Sequence, residues 1–158
     1  MLKKVISGGQ TGADQAAWRA AKAHGIATGG WMPKGFLNEE GERPEFAAIY
    51  GASEMPTAKY PPRTKRNVRE RDATLWFDDV DSAGAATTLE ACRRFGKPYL
   101  LVAFEPMTKP SVIASWLKDS EIQSLNIAGN RESASPGIGE RVERFFDELF
   151  RHLTGRFE

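Results

Sequence analysis

Residues 5–14 read Val5-Ile6-Ser7-Gly8-Gly9-Gln10-Thr11-Gly12-Ala13-Asp14 and predict a short buried strand, a tight turn and the start of a helix. An alanine-rich stretch continues as far as His24, and the Gly25 that follows is a typical helix stop. The alanines allow this helix to lie close against a sheet. A strand that passes through a glycine turn into a helix is typical of an α/β fold with a parallel sheet.

The rest of the chain repeats this alternation of strands and helices. Strands are predicted at 26–31, 73–77, 99–104 and 125–128, and helices at 63–71, 85–95, 111–118 and 138–153. The strand at 99–104 is the most apolar, so we expect it in the centre of the sheet. The pattern predicts one Rossmann-like domain over 1–158, a three-layer α/β/α arrangement with a mainly parallel sheet of about five strands.

Residues 32–60 form the longest stretch without a clear period. The segment carries several glycines and prolines, but it also holds large apolar side chains such as Phe36, Phe46 and Tyr50. A connection of this length inside a compact domain is usually functional or disordered. The apolar side chains favour an ordered flap or insertion over a disordered linker.

Composition excludes several classes of function. The chain has 158 residues, 41% hydrophobic and 27% charged, with a formal net charge of +1. A nearly neutral chain has no overall attraction to nucleic acid or to anionic lipid, so neither is an expected partner. No apolar run approaches the ~20 residues that cross a bilayer. The single cysteine, Cys92, cannot form an intramolecular disulfide, and we expect a cytoplasmic protein.

Two turns of small residues follow predicted strands and lead into helices. We call residues 8–14 the first turn and Ser82-Ala83-Gly84-Ala85-Ala86-Thr87-Thr88 the second turn. Each can direct backbone N–H groups and the positive end of a helix at one anion, and the absence of a Cβ permits close approach. The expected phosphate-binding residues of the two turns are Gly8, Gly9, Gln10, Thr11, Gly12, Asp14, Gly84, Thr87 and Thr88.

Neither turn matches the dinucleotide-binding fingerprint or the P-loop, which ends in Gly-Lys-Ser/Thr. ATP hydrolysis is therefore not expected. The alternative interpretation of the first turn is purely structural, with the glycines closing a tight turn and Asp14 capping the helix.

Four further residues complete the predicted ligand site. Arg63 and Asn67 share a face of the basic helix, so the guanidinium can reach a phosphate or carboxylate. Trp31 and Lys34 can offer a stacking plane and a cation. There are structural alternatives: Trp31 serves equally well as a core anchor, and the basic helix can form a solvated charged face, which is the preferred interpretation for Lys65 and Arg69.

No motif requires catalysis or a bound metal. Asp78, Asp79 and Asp81 follow a predicted strand, where carboxylates often hold Mg²⁺, but a solvated acidic loop is the preferred interpretation. Neither a nucleophile–base pair nor zinc-ligand spacing is evident. We therefore predict no catalytic residue and no metal ligand, and favour a binding protein over an enzyme.

Six blocks in order resemble the molybdenum cofactor carrier protein family, within a larger group that includes the lysine-decarboxylase-like and DNA-processing-protein-A-like proteins. The blocks are 8–14, 29–35, 60–68, 72–75, 87–98 and 125–138. In the second turn the family usually has Gly-Gly-Thr, where this chain reads Ser82-Ala83-Gly84-Ala85-Ala86-Thr87-Thr88. Alanine at position 86 leaves less space for backbone approach to a ligand.

The resemblance implies a Rossmann-like subunit, assembled as a homotetramer, that carries the molybdenum cofactor (molybdopterin), a pterin with a terminal phosphate. A related phosphorylated pterin or a nucleotide would suit the same turns. Glu90 falls on the motif glutamate of the wider group. The alternatives are therefore a nucleotide phosphoribohydrolase with Glu90 as its acid/base, or a non-catalytic sensor of a nucleotide signal that uses the same pocket.

Overall fold

The computed structural model describes residues 1–155. In chain order its elements are β1 (Lys4–Ser7), α1 (Ala13–Ala23), β2 (Ala27–Met32), β3 (Leu37–Asn38), β4 (Gly41–Glu42), α2 (Phe46–Tyr50), β5 (Ala52–Glu54), α3 (Tyr60–Arg69), β6 (Ala73–Phe77), α4 (Ala83–Arg94), β7 (Tyr99–Val102), α5 (Pro110–Asp119), β8 (Ser124–Gly129) and α6 (Ile138–Thr154).

Six of the strands form one parallel sheet in the order β5-β2-β1-β8-β6-β7. The predicted α/β class with a parallel sheet is confirmed. The sheet has one strand more than expected, because β5 from the 32–60 segment pairs with β2. β5 has only three residues and no apolar alternation, so its sequence carries no strand signal.

Helices cover both faces of the sheet, as the side chains of β6 show. Leu75 and Phe77 point into a core formed with α1, α5 and α6, where Phe145 and Phe146 of α6 pack on Phe77. Trp76, between them, points to the opposite face and packs with α4. α3 and α4 contact each other on that second face. The three layers are therefore those predicted from the sequence.

The expectation that the strand at 99–104 is central is wrong. β7 lies at the edge of the sheet, and Leu101 is 45% exposed. Leu100 faces the α5–α6 side while Tyr99 faces α4. Leu100 and Val102 are apolar because they pack on the α5–α6 side of the sheet, and this packing does not depend on whether β7 has one neighbouring strand or two.

The 32–60 segment contributes the β3–β4 hairpin, α2 and β5. Phe46 and Tyr50 of α2 pack against Trp18 of α1. The hairpin lies on the first turn, where the Asn38 side-chain amide donates a hydrogen bond to the Gly9 carbonyl at 3.0 Å. Over residues 1–155, no helix combines the length and the apolar composition that crossing a bilayer demands.

Candidate functional site

A cleft of about 360 Å³ lies at the carboxyl ends of β1, β8 and β6. The chain reaches β8 last but places it between β1 and β6, so the strand order changes direction here. Ligands of parallel sheets bind at such a switch point. The lining residues of this switch-point cleft are Gln10, Asp14, Tyr60, Pro61, Arg63, Thr64, Trp76, Ser82, Ala83, Gly84, Thr87, Thr88, Ala128, Gly129, Asn130, Arg131 and Ala134.

Six residues predicted for the site meet in this cleft although they come from three separate segments. They are Gln10, Asp14, Arg63, Gly84, Thr87 and Thr88. The two turns thus face one crevice, with α3 beside them. Its volume falls in the range of about 300–1,000 Å³ that is usual for small-molecule sites.

The first turn holds an anion of its own, the carboxylate of Asp14. The Gln10 N–H donates to Asp14 Oδ2 at 3.1 Å, and the Gly8 N–H also donates to this carboxylate. The N–H groups of Gly9, Thr11 and Ala13 also donate within the protein, to Ser7 Oγ, Gln10 Oε1 and the Asn130 carbonyl, whereas those of Gly12 and Asp14 have no partner among residues 1–155. Most N–H groups of the first turn are therefore engaged within the protein.

Asp14 is paired with Arg63 across the wall of the cleft. Arg63 Nη1 lies 3.7 Å from Asp14 Oδ2, and the two side chains are 12% and 4% exposed. Burial raises the pKa of Asp14 to about 6, although the charge of Arg63 and the hydrogen bonds from Gln10 and Gly8 oppose the shift. Burial likewise lowers the pKa of the Arg63 guanidinium, against the attraction of Asp14.

The glycines of the first turn serve internal packing. A Cβ on Gly8 would lie 2.0 Å from Arg63 Nη1, so the guanidinium rests directly on this backbone. Gly12 has φ +79°, and a Cβ there would meet the Asn130 carbonyl oxygen at 2.6 Å. Gly9 is likewise closed in by Met32. These three glycines do not line the cleft, and their small size lets protein segments, rather than a ligand, approach the turn.

The second turn is the open N-terminus of α4. Ser82 caps the helix, its Oγ accepting the Ala85 N–H at 3.1 Å. The N–H groups of Ala83 and Gly84 have no partner within residues 1–155, as is normal for the first residues of a helix. Since Ala83 and Gly84 both line the cleft, this end of α4 offers an anion two free donors and a positive helix terminus.

Other residues of α4 have less direct roles than predicted. The hydroxyls of Thr87 and Thr88 donate to the carbonyls of Ala83 and Gly84, one turn earlier in the helix. Both threonines line the cleft, but their hydroxyl protons are already engaged in these hydrogen bonds within the helix. Ala86 and Glu90 are exposed and do not line the cleft. The alanine at 86 therefore does not narrow it, and Glu90 is not placed to act on a ligand inside it.

Three polar atoms buried around the cleft have no hydrogen-bond partner among the described residues: Gln10 Nε2, Arg63 Nε and Asn130 Oδ1. The orientation of the Gln10 amide is determined by its oxygen, which accepts the N–H groups of Thr11 and Glu39, each at 3.0 Å. Buried polar groups without partners cost free energy. Two donors and one acceptor without hydrogen-bond partners around one cleft therefore indicate a polar ligand.

The rim contains two residues that the sequence interpretation missed, Tyr60 and Arg131. The guanidiniums of Arg63 and Arg131 lie 5.4 and 5.9 Å from the centre of the Tyr60 ring. This cluster combines positive charge with an aromatic surface. Asn130 and Arg131 directly follow the carboxyl end of β8, so the rule that located the two turns could have located this third loop as well.

Three predicted residues lie away from the cleft, on the β2–α3 side of the molecule. The buried Asn67 amide bonds the backbone N–H and carbonyl of Trp31, at 2.8 and 3.0 Å. The Trp31 ring is covered by Arg66 at 3.5 Å and donates from Nε1 to Glu70. Lys34 is exposed, and its backbone N–H donates to Thr57. None of the three lines the cleft; Asn67 and Trp31 instead join α3 to β2.

Thr11 joins the first turn to the hairpin rather than facing the cleft. Its hydroxyl donates to Glu39 Oε1 and accepts the Glu132 N–H at 3.1 Å. Glu39 also accepts from the hydroxyl and N–H of Ser133. Burial alone would raise the pKa of Glu39, but these hydrogen bonds from Ser133 and Thr11 together lower it below its usual value.

The acidic loop after β6 is hydrogen-bonded to the loop that follows β8. Asp78, with φ +80°, accepts a hydrogen bond from the Ser135 hydroxyl at 2.6 Å. Within residues 1–155 no group of three or more His, Cys, Asp or Glu residues is arranged to hold a metal ion. Cys92 is buried against Val68 and Ala91, in the packing between α3 and α4.

Comparison with known proteins agrees with this architecture. The model of the circularly permutated YpsA SLOG family matches residues 5–150. A crystal structure of a "putative molybdenum carrier protein" from Syntrophus aciditrophicus SB superposes with a TM-score of 0.84 at 38% sequence identity, covering 94% of each chain. A search of curated proteins found no significant match. The resemblance inferred from the six sequence blocks is confirmed, and the chain belongs to the circularly permutated YpsA SLOG family.

Proposed function

We propose that this protein binds and carries a small phosphorylated ligand in the switch-point cleft, with molybdopterin or a related phosphorylated pterin or nucleotide as the ligand class. The observation that carries the proposal is the set of unpartnered polar atoms, Gln10 Nε2, Arg63 Nε and Asn130 Oδ1, buried around one crevice. The name of the related Syntrophus aciditrophicus protein supports a molybdenum-related cargo.

The phosphate is best accommodated at the N-terminus of α4. Ala83 and Gly84 supply free backbone N–H groups, and Arg63 and Gln10 supply side-chain donors on the facing wall. The heterocycle then lies toward Tyr60 and Arg131, where an aromatic ring and a guanidinium can stack on it. In this arrangement the chain holds the organic part and the phosphate of the ligand.

We also propose assembly into a homo-oligomer, a tetramer by family resemblance, in the cytoplasm. Light scattering on a size-exclusion column tests the assembly, because a tetramer has four times the 17.5 kDa mass of one chain. A monomer at micromolar concentration would contradict it.

The identity of the ligand is tested by mass spectrometry of whatever remains bound through gentle purification, followed by calorimetric titration with molybdopterin and with nucleoside monophosphates. We expect Arg63→Ala to weaken binding by about 1.5–3 kcal/mol, the value of a hydrogen bond to a charged group. Arg69→Ala, which removes an exposed guanidinium from the same helix, is the matched control and should bind as the wild type does.

If neither molybdopterin nor a nucleotide binds, or if Arg63→Ala and Arg69→Ala bind equally well, the proposal is wrong. If a nucleotide binds tightly and molybdopterin does not bind, the cleft remains the proposed site but the proposed ligand becomes a nucleotide.

A further inference from the structure

We propose that Asp14 is an internal anion with which the ligand's anionic group must compete, so that binding in the switch-point cleft takes up one proton on Asp14. This inference rests on the proposed function, because it requires an anion to bind beside Arg63. It adds a specificity and release mechanism that a phosphate site alone does not have.

The geometry carries the inference. Asp14 lines the cleft and is almost completely buried, with Oδ2 3.7 Å from Arg63 Nη1. The turn that would be expected to cradle a phosphate instead donates the N–H groups of Gln10 and Gly8 to this carboxylate. An incoming anion that pairs with Arg63 in the cleft therefore shares one guanidinium with a carboxylate already in place.

Two anions on one buried guanidinium repel each other, and the repulsion is relieved when the weaker acid takes up a proton. Asp14 is suited to this because burial has already raised its pKa to about 6. A protonated Asp14 still accepts from the turn with one oxygen, while Arg63 gives its full charge to the ligand. Above pH 6, binding therefore requires proton uptake, and affinity falls as pH rises.

The surroundings contain few other groups that could titrate in its place. Among the described residues, the charged side chain that faces Asp14 is Arg63 of α3. Tyr60 of α3 and Arg131 of the loop after β8 act on Arg63 rather than on Asp14. His24 lies against Asp147 and Phe150, outside the residues that line the cleft.

The test uses sulfate, which keeps its double negative charge throughout the range from pH 5 to 9, so that any pH dependence belongs to the protein. We expect the dissociation constant to rise by up to about tenfold per pH unit above pH 6, and to level off below it. Calorimetry at pH 7.5 in two buffers of different ionisation enthalpy should show the uptake of nearly one proton for each sulfate bound.

Asp14→Asn, which imitates the protonated carboxyl, should bind sulfate with little pH dependence and more tightly than the wild type at pH 8. Asp81→Asn removes an exposed carboxylate near the same end of α4 and is the matched control. It should change affinity by the same factor at every pH and keep the wild-type slope.

The outcomes separate the two proposals. Sulfate binding without pH dependence or proton uptake in the wild type, or a slope that persists in Asp14→Asn, overturns the proton linkage and leaves the ligand cleft in place. If sulfate, molybdopterin and a nucleoside monophosphate all fail to bind at any pH, the proposed function and the linkage both fail. The wild-type measurements alone decide the linkage if Asp14→Asn does not fold.

Discussion

Gly12 and Gly84 occupy similar places in the two turns, yet their neighbours in the structure are different. A Cβ on Gly12 would lie 2.6 Å from the Asn130 carbonyl oxygen, and its φ of +79° is unfavourable for other residues. A Cβ on Gly84 would meet only the edge of Trp76, at an ordinary 3.6 Å. The packing of the first turn therefore requires glycine at position 12, whereas position 84 has room for a larger side chain.

Alanine substitutions separate these two roles. Gly84→Ala should not lower the free energy of unfolding. It should raise it by up to about 0.5–1 kcal/mol, because alanine favours the helix more than glycine does. Its methyl group lies at the mouth of the anion site and should weaken ligand binding by roughly tenfold. Gly12→Ala should lower the free energy of unfolding by at least about 1–3 kcal/mol.

Urea denaturation and ligand titration of both variants measure this difference. Equal losses of stability in the two variants would show that the turns have the same structural role, and unchanged binding by Gly84→Ala would remove α4 from the anion site.

At the scale of elements, the β3–β4 hairpin matters because it connects two of the loops around the cleft. Glu39, at its tip, accepts hydrogen bonds from Thr11 of the first turn and from Ser133 after β8. Its backbone N–H also fixes the Gln10 amide that faces the cleft. The hairpin thus supports the site indirectly, by holding Gln10 and the loop after β8 in place.

Removal of the Glu39 carboxylate should loosen this connection. We expect Glu39→Ala to lower the free energy of unfolding by about 1.5–3 kcal/mol, because charge-assisted hydrogen bonds are lost. Amide exchange at Ser133 should accelerate, since that N–H donates to Glu39. Glu40→Ala, at the exposed neighbouring position, is the control and should change neither quantity.

The sign of the pH dependence follows from the lowered pKa of Glu39. Its stabilisation is complete above the ordinary carboxyl pKa and is lost as the pH falls through the lower value of the folded state. Exchange at Ser133 that is the same in Glu39→Ala and Glu40→Ala would contradict this role of the hairpin.

For the whole molecule, the free energy of unfolding contains contributions from carboxylates whose dependence on pH has opposite signs. Hydrogen bonds from Ser124 and Gln123 outweigh burial in lowering the pKa of Asp72, so this group, like Glu39, stabilises the fold above its unfolded pKa. Asp14 does the reverse. Because its pKa is raised from 3.8 to about 6, its stabilising effect is present below pH 3.8 and is lost as the pH rises through 6.

The contribution of Asp14 is isolated by comparison of the wild type with Asp14→Asn. Above pH 7 in chloride buffer we expect the variant to be more stable by an amount of the order of 3 kcal/mol, since one pKa unit corresponds to about 1.4 kcal/mol. The difference should shrink toward zero by pH 4. Urea denaturation across this range measures it, and a difference that is constant with pH would show that Asp14 is not held at a raised pKa.

Much of the fold could be predicted because the relevant signals are local. The apolar stripe of α6 and the strand–turn–helix unit at residues 5–14 each lie within a few turns of chain. The same signals could not show that β7 is an edge strand or that β5 joins the sheet. Strand order is set by pairing between distant segments, which a periodic pattern does not encode.

The sequence by itself determined the α/β class, the two small-residue turns and the likeness to the carrier family. Only the tertiary structure decided that the first turn encloses Asp14, that Asn67 joins α3 to β2, and that Asn130 and Arg131 complete the cleft. These roles depend on contacts between segments far apart in the chain, such as Ala13 with Asn130. A turn's residue types show that it can hold an anion, but the folded packing determines which anion it holds.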